Sequence, residues 1–150
     1  MSACRGRMPM KVSIIVTAVC ALIGVGLSSS VLADDGHAET VAPKFNQAIP
    51  NVAGKSLVVV EVDYPPGAAS LPHTHAKSAF IYAYVLSGRI ESKVNDGETR
   101  IYRAGESWSE PPNAHHRVSR NASKTEAARL LAVFVVDTDD KALTTPDARK

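Results

Sequence analysis

Gly67-Ala-Ala-Ser-Leu-Pro-His73-Thr-His75 is the stretch on which the fold turns, and roughly forty residues on it has a partner, Gly105-Glu-Ser-Trp-Ser-Glu-Pro-Pro-Asn-Ala-His115-His116. In a β-strand the side chains at i and i+2 point to the same face, so His73 and His75 can present two imidazoles to one ion. Neutral imidazole is the commonest metal-ligand side chain. Two such rings fix only an edge of a coordination sphere, and the second stretch offers a third. Adjacent strand residues face opposite sides, so one of His115 and His116 points inward and the other outward.

The surrounding chain reads as strands. Leu57-Val-Val-Val-Glu-Val-Asp-Tyr64 is β-branched and then alternating, and Pro65-Pro66-Gly67 ends it. Phe80 to Leu86 follows, closed by Ser87-Gly88, and then Arg89 to Val94, in which Ile90, Ser92 and Val94 share a face. Asn95-Asp96-Gly97-Glu98 carries hairpin-turn chemistry. Thr99 to Arg103, Glu106 to Ser109, His116 to Arg120 and Arg129 to Val136 continue the series. Short strands separated by turn residues predict an all-β sandwich or barrel. No helical periodicity long enough to compete follows Asp34.

With these two stretches in place, the sequence resembles the cupins, in particular the small single-domain, type-2-like members. The first cupin motif has a glycine, two histidines one residue apart, a glutamate a few residues later and a closing glycine; here Gly67, His73, His75 and Gly88 match. The second motif is matched by Gly105, Pro111 and His116, with Asn113 standing where the family has glycine. Asn tolerates the left-handed backbone a glycine would adopt there. The glutamate of the first motif is missing: Ala79, Phe80 and Ile81 occupy the slot, depending on the end from which one counts, and none can ligate a metal. The resemblance implies a jelly-roll β-barrel with His73, His75 and His116 inside near one mouth, holding a divalent ion: iron, zinc, nickel, copper or manganese.

His115 is then expected as a rim residue or as an acid or base at the mouth of the site. Glu110, just before Pro111-Pro112, has two readings, a solvated turn carboxylate or an acid/base or fourth ligand at the pocket rim. Tyr82 and Tyr84 share a strand face and read first as core, and Trp108 reads first as barrel packing. Asn121-Ala-Ser123 fits the N-glycosylation pattern and implies only an exposed loop.

The first third of the 150-residue chain stands apart from this domain. Arg5, Arg7 and Lys11 precede an apolar run from Val12 to Leu27, and small residues lead to Val31-Leu32-Ala33, the pattern of a cleavable secretory signal spanning 1–33. The expected organisation is thus a signal at 1–33, a leader and first edge strand at 34–54, the barrel at 55–137 and a polar tail at 138–150. Both cysteines, Cys4 and Cys20, fall in the signal, so the mature domain has no thiol for a disulfide or a metal. Loss of Arg5, Arg7 and Lys11 takes the formal charge from +2 to −1, which points to neither nucleic acid nor an acidic membrane surface as a partner.

The expectation is therefore a periplasmic or secreted protein with no stable membrane association after cleavage. A small barrel is expected to pair as a homodimer, through Leu57 to Val60 or Val133 to Val136. Two functions fit. One is a metal-dependent, dioxygenase-like enzyme acting on a small organic anion or diol, and the other is a non-catalytic binder of a small molecule or metal.

Overall fold

A computed structural model describes residues 39–148, so the expected signal segment 1–33 lies outside the described residues. Ten strands run in order: β1 Thr40–Ala48, β2 Lys55–Tyr64, β3 His73–His75, β4 Phe80–Ser87, β5 Arg89–Val94, β6 Arg100–Arg103, β7 Ser107–Glu110, β8 His115–Asn121, β9 Ala128–Asp137 and β10 Thr144–Pro146. They form two antiparallel five-stranded sheets, ordered β1-β2-β9-β4-β7 and β10-β3-β8-β5-β6, and no helix occurs among the described residues.

Alternation along each strand builds the core. Val60, Val62 and Tyr64 of β2, Leu130, Ala132, Phe134 and Val136 of β9, and Ile81, Ala83 and Val85 of β4 are all buried on one face of the first sheet. Ile90, fully buried, meets them from β5. Complete burial of an aliphatic side chain is worth about 1.5–3 kcal/mol, so this face holds the two sheets together. Its registers place Ile81 opposite Phe134 on one side and opposite Glu110 on the other.

The structure refines several local readings. Tyr82 and Tyr84, read first as core, lie instead on the outer face of β4, where Tyr82 is exposed and Tyr84 half-buried. Strand β1, Thr40–Ala48, lies inside the 34–54 segment expected to hold a leader and a first edge strand, and it pairs along β2. The polar tail contains β10, whose Thr144 and Pro146 lie opposite His75 and His73. A register shift between Lys93 and Val94 puts Ser119, three residues past His116, on the inner face with it, although strict alternation would bring the residue two past it there. Asn121 is 4% exposed, and its amide donates to the carbonyls of Tyr64, Pro65 and Glu126 while its oxygen accepts from the Ser123 N–H. The glycosylation pattern there is therefore a buried staple between loops. The segments expected to pair two copies lie on central strands, where Leu57, Val59, Val133 and Val135 are half-buried beside exposed Phe80 and Tyr82.

Several turn positions use left-handed backbone as the sequence requires. Asn113 has φ 60°, the conformation expected for a glycine substitute in the second motif. Gly88, between β4 and β5, has φ 72°, and a Cβ there would lie 2.6 Å from the Ala127 carbonyl oxygen and 2.7 Å from Ala128 Cα. Gly67 has a similar φ of 76° but open space around it. Replacement by alanine strains the backbone at both positions, and only at Gly88 must neighbouring backbone also move. Gly88→Ala is expected to lower unfolding free energy by about 2–4 kcal/mol and Gly67→Ala by about 1 kcal/mol, read from urea denaturation midpoints.

Candidate metal centre

Strand β3 carries His73 and His75 on one face, and β8 brings His116 directly opposite His73 in register. The ring centroids stand 4.8 Å apart for His73 and His75, 5.3 Å for His73 and His116, and 5.9 Å for His75 and His116. One nitrogen from each ring lies within 4.8 Å of the others, a grouping able to hold one metal ion. His75 and His116 are buried and His73 half-buried. Phe134 meets His75 edge-on, and Trp108 meets His116 in the same way, so the cluster has apolar walls.

The partners of each ring indicate which nitrogen remains free. His73 Nδ1 is 2.7 Å from the Leu71 carbonyl oxygen, so Nδ1 carries the proton and donates it, leaving the Nε2 lone pair. His116 Nε2 is 2.9 Å from Ser92 Oγ, which leaves Nδ1 facing the cluster. Such bonds on the far side of a ring are the usual means of fixing tautomer and orientation in metal-ligating histidines. Ser92 had been read from the sequence only as sharing a strand face with Ile90 and Val94. His75 differs from the other two, because neither of its ring nitrogens has a hydrogen-bond partner although both are buried.

Glu110 enters this cluster from the opposite sheet. The reading of it as a solvated turn carboxylate is overturned: it closes β7, points inward two residues after Trp108 and is 2% exposed. Its Oε1 accepts from the Trp108 indole N–H at 3.0 Å and lies 3.4 Å from His116 Nδ1. Its Oε2 is 3.1 Å from His75 Nε2, an ion-pair contact that falls short of hydrogen-bond alignment, and neither atom has another partner among the described residues. Burying such groups unpaired costs about 1–3 kcal/mol each, and more for a charged one. A cation held by the three rings would take one nitrogen of His75 and sit beside the Glu110 carboxylate, so the donor set fits a divalent metal. Glu110 borders the three-histidine grouping without being part of it, and His115 stands outside it as well. Its Nε2 is 2.9 Å from Asp147 Oδ2, just past β10.

The two-sheet fold with an inward histidine cluster is that of the cupins. The cupin-domain family model matches residues 60–134, and the chain belongs to this family. Among solved structures, an uncharacterised double-stranded β-helix protein from Klebsiella pneumoniae is 18% identical with TM-score 0.58, over 77% of this chain and 88% of that one. The cupin domain of Schizosaccharomyces pombe Cnp3 is 26% identical with TM-score 0.54, over 67% and 66%. Oxalate oxidase in complex with glycolate is 22% identical with TM-score 0.54, over 70% of this chain and 53% of that one. No curated protein matches the sequence.

Electrostatics sets the protonation of the cluster. Burial pushes His116 down to about 4; the nearby Glu110 charge opposes this, and His73 and His75 reinforce it. Burial also lowers His73, against the bond to the Leu71 carbonyl. Burial by itself would raise the Glu110 carboxyl, but contact with His75, the field of His116 and the Trp108 N–H together hold it below the usual range. At neutral pH His73 and His116 thus offer lone pairs beside a carboxylate, the charge state that a cation needs. In the metal-free protein, the unfolded chain protonates His116 below about 6.5 while the folded chain refuses the proton down to about 4, so stability falls with pH across that window. The loss assignable to His116 is at most about 3 kcal/mol. Urea denaturation of the chelator-treated protein at pH 7 and pH 4 is expected to show it, and His116→Gln is expected to lose correspondingly less; equal losses in the two proteins would contradict the assignment.

Proposed function

We propose that the protein is an exported, metal-dependent cupin enzyme of the oxygenase type that acts on a small organic anion or diol. The observation that carries this reading is the group of unsatisfied buried atoms, His75 Nδ1 and Nε2 with Glu110 Oε2, beside two histidines whose far sides are already bonded. A bound divalent ion would supply Lewis acidity toward substrate oxygens and an open position next to them.

The chain's own residues do the rest. His73, His75 and His116 would hold the ion, with the Leu71 carbonyl and Ser92 fixing two of the rings. Trp108, packed at a tilt against Tyr102 with 4.5 Å between centroids, orients Glu110 and helps keep water from one side. Phe134 packs edge-on against His75 as a second apolar wall. Oxalate oxidase, which shares the fold, is seen with its substrate analogue glycolate, and this supports a small oxygen-bearing anion as the substrate class by analogy of fold. The signal-like segment 1–33 supports export, and the apolar outer face around Val59 and Val133 supports a homodimer. A monomer at every concentration in sedimentation equilibrium would remove the dimer from this reading.

Purified protein reconstituted separately with Fe(II), Mn(II) and Zn(II) would be assayed against small hydroxy acids, dicarboxylates and vicinal diols, following oxygen uptake and product. Turnover is expected with at least one metal, falling by about 100-fold or more in folded His75→Ala, since losing a ligand costs at least what losing its outer partner does. Metal-dependent binding of these compounds without turnover would instead make the protein a binder.

A further inference from the structure

We infer that Glu110 is itself a ligand of this centre, supplied across the sheet from β7 in place of the glutamate that the first motif lacks, and bound through Oε2 while Trp108 holds Oε1. The inference rests on the metal reading above and adds the fourth donor to it.

The register makes the replacement geometrically direct. Ile81 is where the first motif's glutamate falls when counted back from Gly88, and Ile81 pairs with Glu110 across β4 and β7. Both side chains point inward, at 1% and 2% exposure. Directly opposed residues of an antiparallel pair have Cβ atoms about 4.5–5.5 Å apart, comparable with the length of a glutamate side chain. A carboxylate launched from either position therefore enters the same region of the barrel, beside His75.

The two oxygens of Glu110 are not equivalent. Oε1 is satisfied by the Trp108 N–H, whereas Oε2 has no hydrogen-bond partner and lies 3.1 Å from a ring nitrogen that also has none. At 3.1 Å the two atoms are within ion-pair range but short of hydrogen-bond alignment, so a shared proton satisfies them only poorly. An ion contacting both atoms removes both deficits at once. It also restores the negative charge that an all-imidazole shell would lack.

The test is metal binding with spectroscopy. Metal-free wild type, Glu110→Gln, Glu110→Ile and the reciprocal double variant Ile81→Glu/Glu110→Ile would be titrated with Mn(II) by calorimetry. Their Cu(II) complexes would be examined by electron paramagnetic resonance, with thermal unfolding of each metal-free protein to establish folding. Glu110→Gln is expected to weaken Mn(II) binding by more than about 100-fold, beyond the range typical of outer partners, and to change the Cu(II) hyperfine pattern. The double variant is expected to recover affinity to within about tenfold of wild type, which Glu110→Ile alone does not. Glu110→Gln with an unchanged Cu(II) spectrum would overturn the inference while leaving the three-histidine centre standing, whether or not affinity falls. A wild type that binds neither ion would overturn both.

Discussion

Everything about the interior of this barrel is arranged around a small set of polar atoms that have no partner within the protein. A buried carboxylate oxygen of Glu110 and both nitrogens of His75 make no aligned hydrogen bond where the two sheets face each other, whereas the other buried polar side chains among the described residues are satisfied. Tyr64 shows the contrast: its hydroxyl, equally deep, bonds both Ser70 and Ser119 at 2.8 Å. The three-way amide of Asn121 makes the same point. Orphaned groups of this kind are costly, and they persist where they serve a ligand.

The fold serves that cluster by bringing both sheets to it. One sheet contributes all three histidines from two neighbouring strands, so their spacing is set by strand register, the most rigid feature of the architecture. The edge of the other sheet contributes Glu110, with Trp108 next to it as donor and wall. Strand β10 pairs with the back of β3 and holds the two-histidine edge in place from the far side. The C-terminal segment thus belongs to the scaffold of the site.

Much of this was legible in the sequence, because strand patterning and paired histidines leave local signals. The i, i+2 spacing of His73 and His75 and the outward turn of His115 relative to His116 follow from a period of two. What the sequence hid was non-local. Glu110 precedes two prolines and looks like a turn residue; only the alternation Trp108 in, Ser109 out, Glu110 in shows that it faces the core, and that parity depends on how far β7 extends. Ser92 became a histidine partner, and Ser119 came to the inner face, through a register shift between β5 and β8 that no composition signals. Pairing of β10 with β3 joins residues some seventy positions apart, and the short polar run Thr144–Pro146 carries no strand pattern to announce it.

The central claim is that this histidine cluster is a metal centre, and metal content measures it most directly. Protein purified without a polyhistidine tag, as wild type and as His116→Ala, would be analysed by inductively coupled plasma mass spectrometry before and after equilibration with a mixture of divalent ions. The account predicts close to one ion per chain in wild type and its loss in the variant. A folded wild type that neither carries nor takes up an ion would contradict it.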